Sequence, residues 1–371
     1  MKKKVACLVN KVSSGNIPLE NFAAVNGEKI EKHLVVYYQT QEEVETFISE
    51  TYPNSNFTIH SCLSESDSKI GKISRFKGLR KILQSIDPDV VHVHHTGIAV
   101  AASFLRIFRQ FNLLITAHNS FDHFTPAQKA GYTFSFLMAD QIICNSNNTC
   151  KSLPRVIANS KKNIIYNGVN FDQIDNLLNS KQDNNYIFII GTACRIIPQK
   201  DLDTLIKGFA SFVSTIDNKD VQLRLIGEGP EKSRLEKMVE TLGISDWVTF
   251  TGGVSRQEVY AEMQSFDVFV VSSRWEGFCN AMVEAAASGN PIVASNIEPL
   301  PEVIGKDNAL FFPVGDEKAL GEHLTRLFHN SELRQNLANK GKAYVRSKYS
   351  LKQSAENYLE SYLKLFNKFS V

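Results

Sequence analysis

The stretch Val268-Phe-Val-Val-Ser-Ser-Arg-Trp-Glu276-Gly-Phe-Cys-Asn280-Ala-Met-Val-Glu284-Ala-Ala-Ala-Ser-Gly289-Asn-Pro-Ile-Val293 compresses strand, polar loop, helix and strand into under thirty residues. Val268–Val271 is apolar throughout, a pattern that suits a strand covered on both faces. The segment from Asn280 is alanine-rich and stops at Gly289, as a helix would. A second apolar run, Pro291–Ala294, then returns to the sheet.

The same alternation extends in both directions. Ile187–Ile190, Val221–Ile226 and Val248–Phe250 precede the stretch, while Val5–Val9, Leu34–Tyr38, Val90–Val93, Leu113–Ala117 and Gln141–Cys144 form an earlier series. Strands of this kind alternating with helices imply parallel sheets, and two series imply two doubly wound, Rossmann-like α/β domains in tandem. The turn residues Asn167–Asn170 and the polar run Asn179–Asn185 separate them. We therefore expect an N-terminal domain over 1–168, a second domain over 169–350, and a central cleft as the binding site. Tyr358, Tyr362, Leu365, Phe366 and Phe369 form a helical stripe, so 351–371 should be a helix packing back toward the N-terminal domain.

Composition agrees with that division. A chain of 371 residues with 43% apolar and 22% charged side chains holds two domains and is neither disordered nor collagen-like. A net charge of +2 gives no global case for a polyanion partner, although residues 1–170 carry +6 and 171–371 carry −4. No uncharged apolar stretch is long enough to span a bilayer, and Val5–Val9 is too short for a signal-peptide core, so a cytoplasmic location is expected. The six cysteines form no CxxC pair and read as reduced, mostly buried residues.

Chemistry concentrates after the second-domain strands. Gly191-Thr-Ala-Cys-Arg195-Ile-Ile-Pro-Gln-Lys200-Asp201 follows a strand and opens a helix that Asp201 could cap. Its two cations suit a diphosphate, but surface cations flanking an ordinary βα loop would look the same. Glu276 and Glu284, eight positions apart, fall on one rim of the sheet. A helix starting at Asn280 offers backbone N–H groups to an anion, and Glu284 can accept from two vicinal ribose hydroxyls.

Taken together, GTACRIIPQKD (191–201), LIGEGPEKSRLE (225–236), VTFTGGV (248–254) and SSRWEGFCNAMVEAAASGNPIVAS (272–295) resemble the family 4 retaining glycosyltransferases. These have the GT-B fold, use nucleotide sugars and carry an E-x7-E pair. The resemblance implies that Arg195 and Lys200 bind the diphosphate, Glu284 holds the ribose and Glu276 contacts the donor sugar. The backbone of Gly277, Phe278 and Cys279 would lie near the distal phosphate, with the helix start at Asn280 beside it. Gly252, Gly253 and Val254 would line the base pocket, and Gly227 and Gly229 would admit a close loop, unless they merely make turns. His118, directly after the Leu113–Ala117 strand, would point at the transferred sugar. The string Glu276-Gly-Phe-Cys-Asn280 resembles members using UDP-sugars.

One departure concerns the first βα loop, where the family's Gly-Gly pair is replaced by Lys11-Val-Ser-Ser-Gly15-Asn-Ile-Pro18. Gly15 would keep the close approach, and Ser14 and Asn16 would hydrogen-bond sugar or acceptor. His92, His94 and His95 lack the carboxylates that would complete a metal set, and Asp87-Pro-Asp89 and Asp201-Leu-Asp203 lie in a turn and at a helix cap. Neither a metal nor another cofactor is expected.

Lys69, Lys72, Arg75, Lys77, Arg80 and Lys81 interleave with apolar residues as a basic amphipathic helix. Two readings stand for it: a packed helix with a basic solvated face, or a contact with an anionic membrane surface. Nucleic acid is not an expected partner, since no aromatic platform accompanies the charge. The resulting expectation is a metal-independent retaining transferase moving a hexose or hexosamine from a nucleotide sugar to a saccharide or lipid-linked acceptor in surface-glycan synthesis. The alternatives are a GT-B nucleotide-sugar epimerase and a non-catalytic partner subunit of a glycosyltransferase complex.

Overall fold

The computed structural model describes residues 2–13, 15–63, 71–178, 187–217 and 220–367. Ser14, Lys69, Ile70, the run 179–185 and Phe369 lie outside them. The chain divides into two units, one of Met1–Gly168 with Leu351–Val371, the other of Val169–Ser350.

The first unit holds seven parallel strands, β1 (Lys3–Val9), β2 (Ile30–Val36), β3 (Phe57–Ser61), β4 (Val90–Val93), β5 (Asn112–Ala117), β6 (Gln141–Cys144) and β7 (Lys162–Ile164). Their order is 3-2-1-4-5-6-7. Alternate strand residues face two cores, as the period of two requires. Ala6, Leu8, Val91, Val93 and Leu113 pack against helices 72–86, 96–108 and 126–138. Val5, Cys7, Leu34 and Leu114 face helices 17–24, 41–51 and 351–366.

Two strands of this sheet are poorly marked in the sequence because they lie at its edges. Only one face of β3 and β7 needs apolar side chains, and β7 reads Lys-Asn-Ile. β2 also starts four residues earlier than its apolar run, through Ile30-Glu-Lys-His33. Buried Lys32 is tolerated there because its ammonium donates to the carbonyls of Ala23 (2.9 Å) and Val25 (3.0 Å), at the end of helix 17–24.

Helix 351–366 buries Tyr358, Tyr362, Leu365 and Phe366 in the second of these cores. It is tied to the sheet by polar contacts as well. The Tyr362 hydroxyl pairs with His92 Nδ1 at 2.8 Å, and Asn112 Nδ2 donates to the Leu365 carbonyl at 3.0 Å.

The second unit holds β8 (Phe188–Ala193), β9 (Val221–Ile226), β10 (Val248–Gly252), β11 (Val268–Val271), β12 (Ile292–Ser295) and β13 (Ala309–Phe312), all parallel, in the order 10-9-8-11-12-13. Helices 202–214 and 317–329 pack so closely that a side-chain carbon at Gly208 would stand 2.9 Å from Leu320. In each sheet the order reverses beside the first strand, between β1 and β4 and between β8 and β11. Loops leaving adjacent strands in opposite directions open a crevice there, which is where sheets of this kind bind ligands.

Candidate active site

The crevice between β8 and β11 holds a small cavity lined by Cys194, Lys200, Ser272, Glu276, Cys279 and Ala281. Lys200 comes from the turn after β8 and Glu276 from the loop after β11. Their ammonium and carboxylate meet at 2.5 Å, both largely buried. Ser273 donates a second hydrogen bond to the same Glu276 oxygen, at 2.7 Å. Burial works to lower the Lys200 pKa, but the adjacent Glu276 charge outweighs it and raises the pKa above its ordinary value.

Backbone pins hold the two loops together. Arg274 N–H donates to the Gln199 carbonyl, the Gln199 amide donates to the Trp275 carbonyl, and Ser272 donates to the Lys200 carbonyl, each at 2.8 Å. The cavity thiols are neutral. Burial pushes Cys194 up to about 11 and Cys279 well above the ordinary thiol range. Gly277 and Phe278 are buried, and Cys279 turns the chain into helix 280–288 with φ of +71°. Asn280 is the first residue of that helix, and no side chain of Cys279 caps it.

Arg195 does not join this pair. It is exposed and makes no ion pair among the described residues, whereas Arg274, which the sequence reading did not single out, reaches Asp201 at 3.0 Å. Asp201 occupies the cap position of helix 202–214, but its carboxylate caps no backbone N–H. It accepts from Thr204 and Arg274 instead.

Glu284 lies one turn inside helix 280–288 and is buried. Arg256 donates to its carboxylate, and the Tyr260 hydroxyl stands 3.3 Å from the same oxygen. Both partners come from helix 256–265, and neither was anticipated. Their signal was the spacing Arg256-x-x-x-Tyr260, which puts the two side chains on one helix face. The two glutamates are therefore each anchored to a cation of their own.

The glycines after β9 meet protein backbone. A side-chain carbon at Gly227 would fall 1.9 Å from the Cys194 carbonyl oxygen, and one at Gly229 2.1 Å from that of Ile196. This close passage of two loops accounts for both glycines without a nucleotide. Gly252 has φ of +82° and accepts from Gly227 N–H at 2.9 Å, while Gly253 is exposed and Val254 half-buried beyond it.

In the first unit, His118 follows β5 and bonds through Nε2 to His94 Nδ1 at 3.0 Å. Burial, reinforced by His95, depresses the His118 pKa to about 3, so the ring is neutral at physiological pH. His92 spends both ring nitrogens on Tyr362 and on Thr116 at 2.7 Å. Cys7 approaches the His92 and His94 rings within 4.8 Å. Burial keeps its thiol protonated, and His92 has no nitrogen to spare, so the trio is a poor fit to a metal ion.

Gly15 takes a left-handed φ of +74°. Asn16, expected to hydrogen-bond a sugar, is committed elsewhere. Its oxygen caps helix 17–24 at Leu19 N–H (3.1 Å), and its amide donates to the Lys11 carbonyl (2.7 Å). The Asp-x-Asp carboxylates are also engaged: Asp89 with Lys3, Asp87 with Arg109, and Asp203 with Arg234.

Two doubly wound parallel sheets, the second with a buried cation-carboxylate pair at its switch point, define a GT-B-type α/β protein. Residues 170–344 match the family described as glycosyl transferases group 1, and residues 49–173 match glycosyltransferase family 4. The chain belongs to the family 4 glycosyltransferases. It is 28% identical over 277 residues to a glycosyltransferase of Methanocaldococcus jannaschii whose role is uncharacterised, covering 73% of this chain and 74% of that one. It is 31% identical over 156 residues to the lipopolysaccharide core biosynthesis glycosyltransferase LpsD of Rhizobium meliloti, covering 42% and 45%. The structure of Anabaena HepE, solved with UDP and glucose, superposes with a TM-score of 0.82 over 98% of this chain and 100% of that one, at 16% identity. That likeness speaks to the fold.

Proposed function

We propose that the protein transfers a hexose or hexosamine from a nucleotide sugar to a saccharide or lipid-linked acceptor with retention of anomeric configuration. The observation that carries this reading is the buried Lys200–Glu276 pair at the β8/β11 switch point. An ammonium held there by one carboxylate can turn to a diphosphate entering the crevice. The carboxylate, still anchored by Ser273, is then left facing the donor sugar.

Departure of a diphosphate develops negative charge, which in this scheme Lys200 and the start of helix 280–288 would neutralise, with exposed Arg195 turning in from the same loop. Those cations take the part a divalent metal plays in other transferases, so the reaction is read as metal-independent. Glu284 holds the ribose in this scheme, with Arg256 and Tyr260 fixing its carboxylate. His118, neutral and fixed by His94, orients the sugar as a hydrogen-bonding partner and carries no charge. UDP is favoured as the carrier by the Glu276–Asn280 string, which resembles members using UDP-sugars. The LpsD relative points to a surface glycan as the product class.

The testing experiment is a thermal-shift series with UDP, GDP, ADP and their sugars. A ligand at 100 times its Kd adds about 2.7 kcal/mol of stability. Selective stabilisation by a UDP-sugar, lost in Lys200→Ala, is expected. Absence of any nucleotide effect, confirmed by direct binding, would overturn the reading in favour of a non-catalytic partner subunit.

A further inference from the structure

Helix 96–108, Thr-Gly-Ile-Ala-Val-Ala-Ala-Ser-Phe-Leu-Arg-Ile-Phe, is apolar around its whole circumference. Ile98, Ala99, Ala102 and Leu105 face the core of the first unit. The opposite stripe carries Phe104, Ile107 and Phe108, which are 47%, 56% and 81% exposed. Its single charged residue, Arg106, is turned inward onto Asp140 at 2.7 Å and does nothing to solvate that stripe. A helix with this pattern normally has a covered outer face.

The patch continues onto helix 126–138. A side-chain carbon at Gly131 would touch Val100, the Phe104 and Phe134 rings meet at a tilt with centroids 5.0 Å apart, and Leu137 is 47% exposed. On the same side of the sheet, helix 72–86 exposes Lys77, Arg80 and Lys81. These three helices together contain seven lysines and arginines and no aspartate or glutamate. The helices on the opposite face of the sheet carry Glu20, Glu42, Glu43, Glu45, Glu50, Glu356 and Glu360. One face of one unit thus combines exposed aromatic and aliphatic side chains with helices that carry basic and no acidic residues, the acids Asp87 and Asp122 lying in the loops at their ends.

We propose that this face docks on an anionic lipid surface, with Phe104, Ile107, Phe108 and Leu137 entering the acyl boundary and Lys77, Arg80 and Lys81 meeting the headgroups. Charge complementarity selects this occupant. A second copy docked on the same patch would bring two sets of acid-free, positively charged helices together. A lipid surface offers both an apolar layer for the exposed aromatic and aliphatic side chains and a negative one for the basic ones. The inference goes beyond the basic helix expected from sequence, because it assigns the apolar anchor to a different helix. It does not depend on the donor-site reading.

The test is co-sedimentation of the full chain with vesicles of phosphatidylcholine alone and with 30% phosphatidylglycerol, a roughly physiological anionic fraction. Binding to the anionic vesicles is expected. Ile107→Ser with Phe108→Ser should weaken it at least about tenfold, since two exposed anchors are lost. Arg80→Glu with Lys81→Glu should remove the preference for the anionic lipid. All four positions are exposed, so thermal stability should be unchanged, and Phe108→Trp gives an independent readout through a blue-shifted emission on binding. Equal sedimentation with both vesicles, undiminished binding by the serine variant, or an unshifted tryptophan would overturn the proposal. So would a dimer that the serine variant dissociates in the absence of vesicle binding.

Discussion

His94 and His118 share a hydrogen bond, Nδ1 to Nε2 at 3.0 Å, between two rings that burial keeps neutral. Two neutral imidazoles can make that bond only if one donates, so the tautomer of one ring fixes that of the other. With a folded-state pKa of about 3, His118 stays uncharged throughout the range in which such an enzyme would be assayed. We predict that its replacement by Asn lowers turnover without removing any limb of the pH-rate profile between pH 5 and 8. A limb near 6.5 that disappears in the variant would show a titrating His118 instead.

The same burial predicts how stability depends on pH. His92 and His118 are depressed to about 3 and His95 to about 4, from an ordinary 6.5. Below pH 6.5 the unfolded chain therefore binds protons that the folded chain refuses. Stability is fully present above that value and falls as the pH drops toward 3, by up to about 1.4 kcal/mol per pH unit for each histidine. Urea titrations at pH 7.5, 6 and 5 should show the midpoint moving down at each step. A midpoint that rises on acidification would contradict this account.

Glu276→Ala should abolish transfer while leaving nucleotide affinity within about a few-fold of wild type, since the carboxylate is assigned to the sugar. Lys200→Met should cost affinity as well as turnover, because it also leaves Glu276 buried without its cation. The double variant should be more stable than the sum of the singles predicts, by about 0.5–3 kcal/mol. Calorimetry with UDP and chemical denaturation of the four proteins provide both readings.

Glu284→Ala should weaken nucleotide binding at least about tenfold if the carboxylate holds the ribose, a loss of roughly 1.4 kcal/mol. Arg256→Met tests the anchor. It strands a buried carboxylate, and a stability loss of about 3–5 kcal/mol is expected. Unchanged affinity in the first variant would remove Glu284 from the ribose assignment, whereas an unchanged denaturation midpoint in the second would show the Arg256 contact to be idle.

The strands that the sequence marks best are the interior ones, where burial on both faces leaves an unbroken apolar run such as Val268–Val271. Edge strands β3 and β7 were not legible, because neither carries such a run, whereas β13, Ala309-Leu-Phe-Phe312, has one and was passed over. At the site, the loop positions of Lys200 and Glu276 followed from strand ends and motif spacing. Their partners did not. Ser273 at Glu276, like Arg256 and Tyr260 at Glu284, comes into play through the packing of neighbouring elements. Asn16 shows the converse, since a polar residue in a ligand-facing loop is also an ideal helix cap, and in this chain the cap has taken it.

The return of helix 351–366 to the first unit has a consequence for how the protein is made. The sheet of that unit is complete by Ile164, yet the cover of one of its faces, begun by helices 17–24 and 41–51, is completed only when Tyr358, Tyr362 and Leu365 have been synthesised. His92 and the Tyr362 hydroxyl that satisfies it are 270 residues apart. At ordinary elongation rates, roughly 15–50 s of translation separate them. During that interval most of the second unit is made while the part of that face reserved for helix 351–366 stays open on the nascent chain. The portion that leaves the ribosome first is thus finished last, and it is the portion with the most to gain from a chaperone.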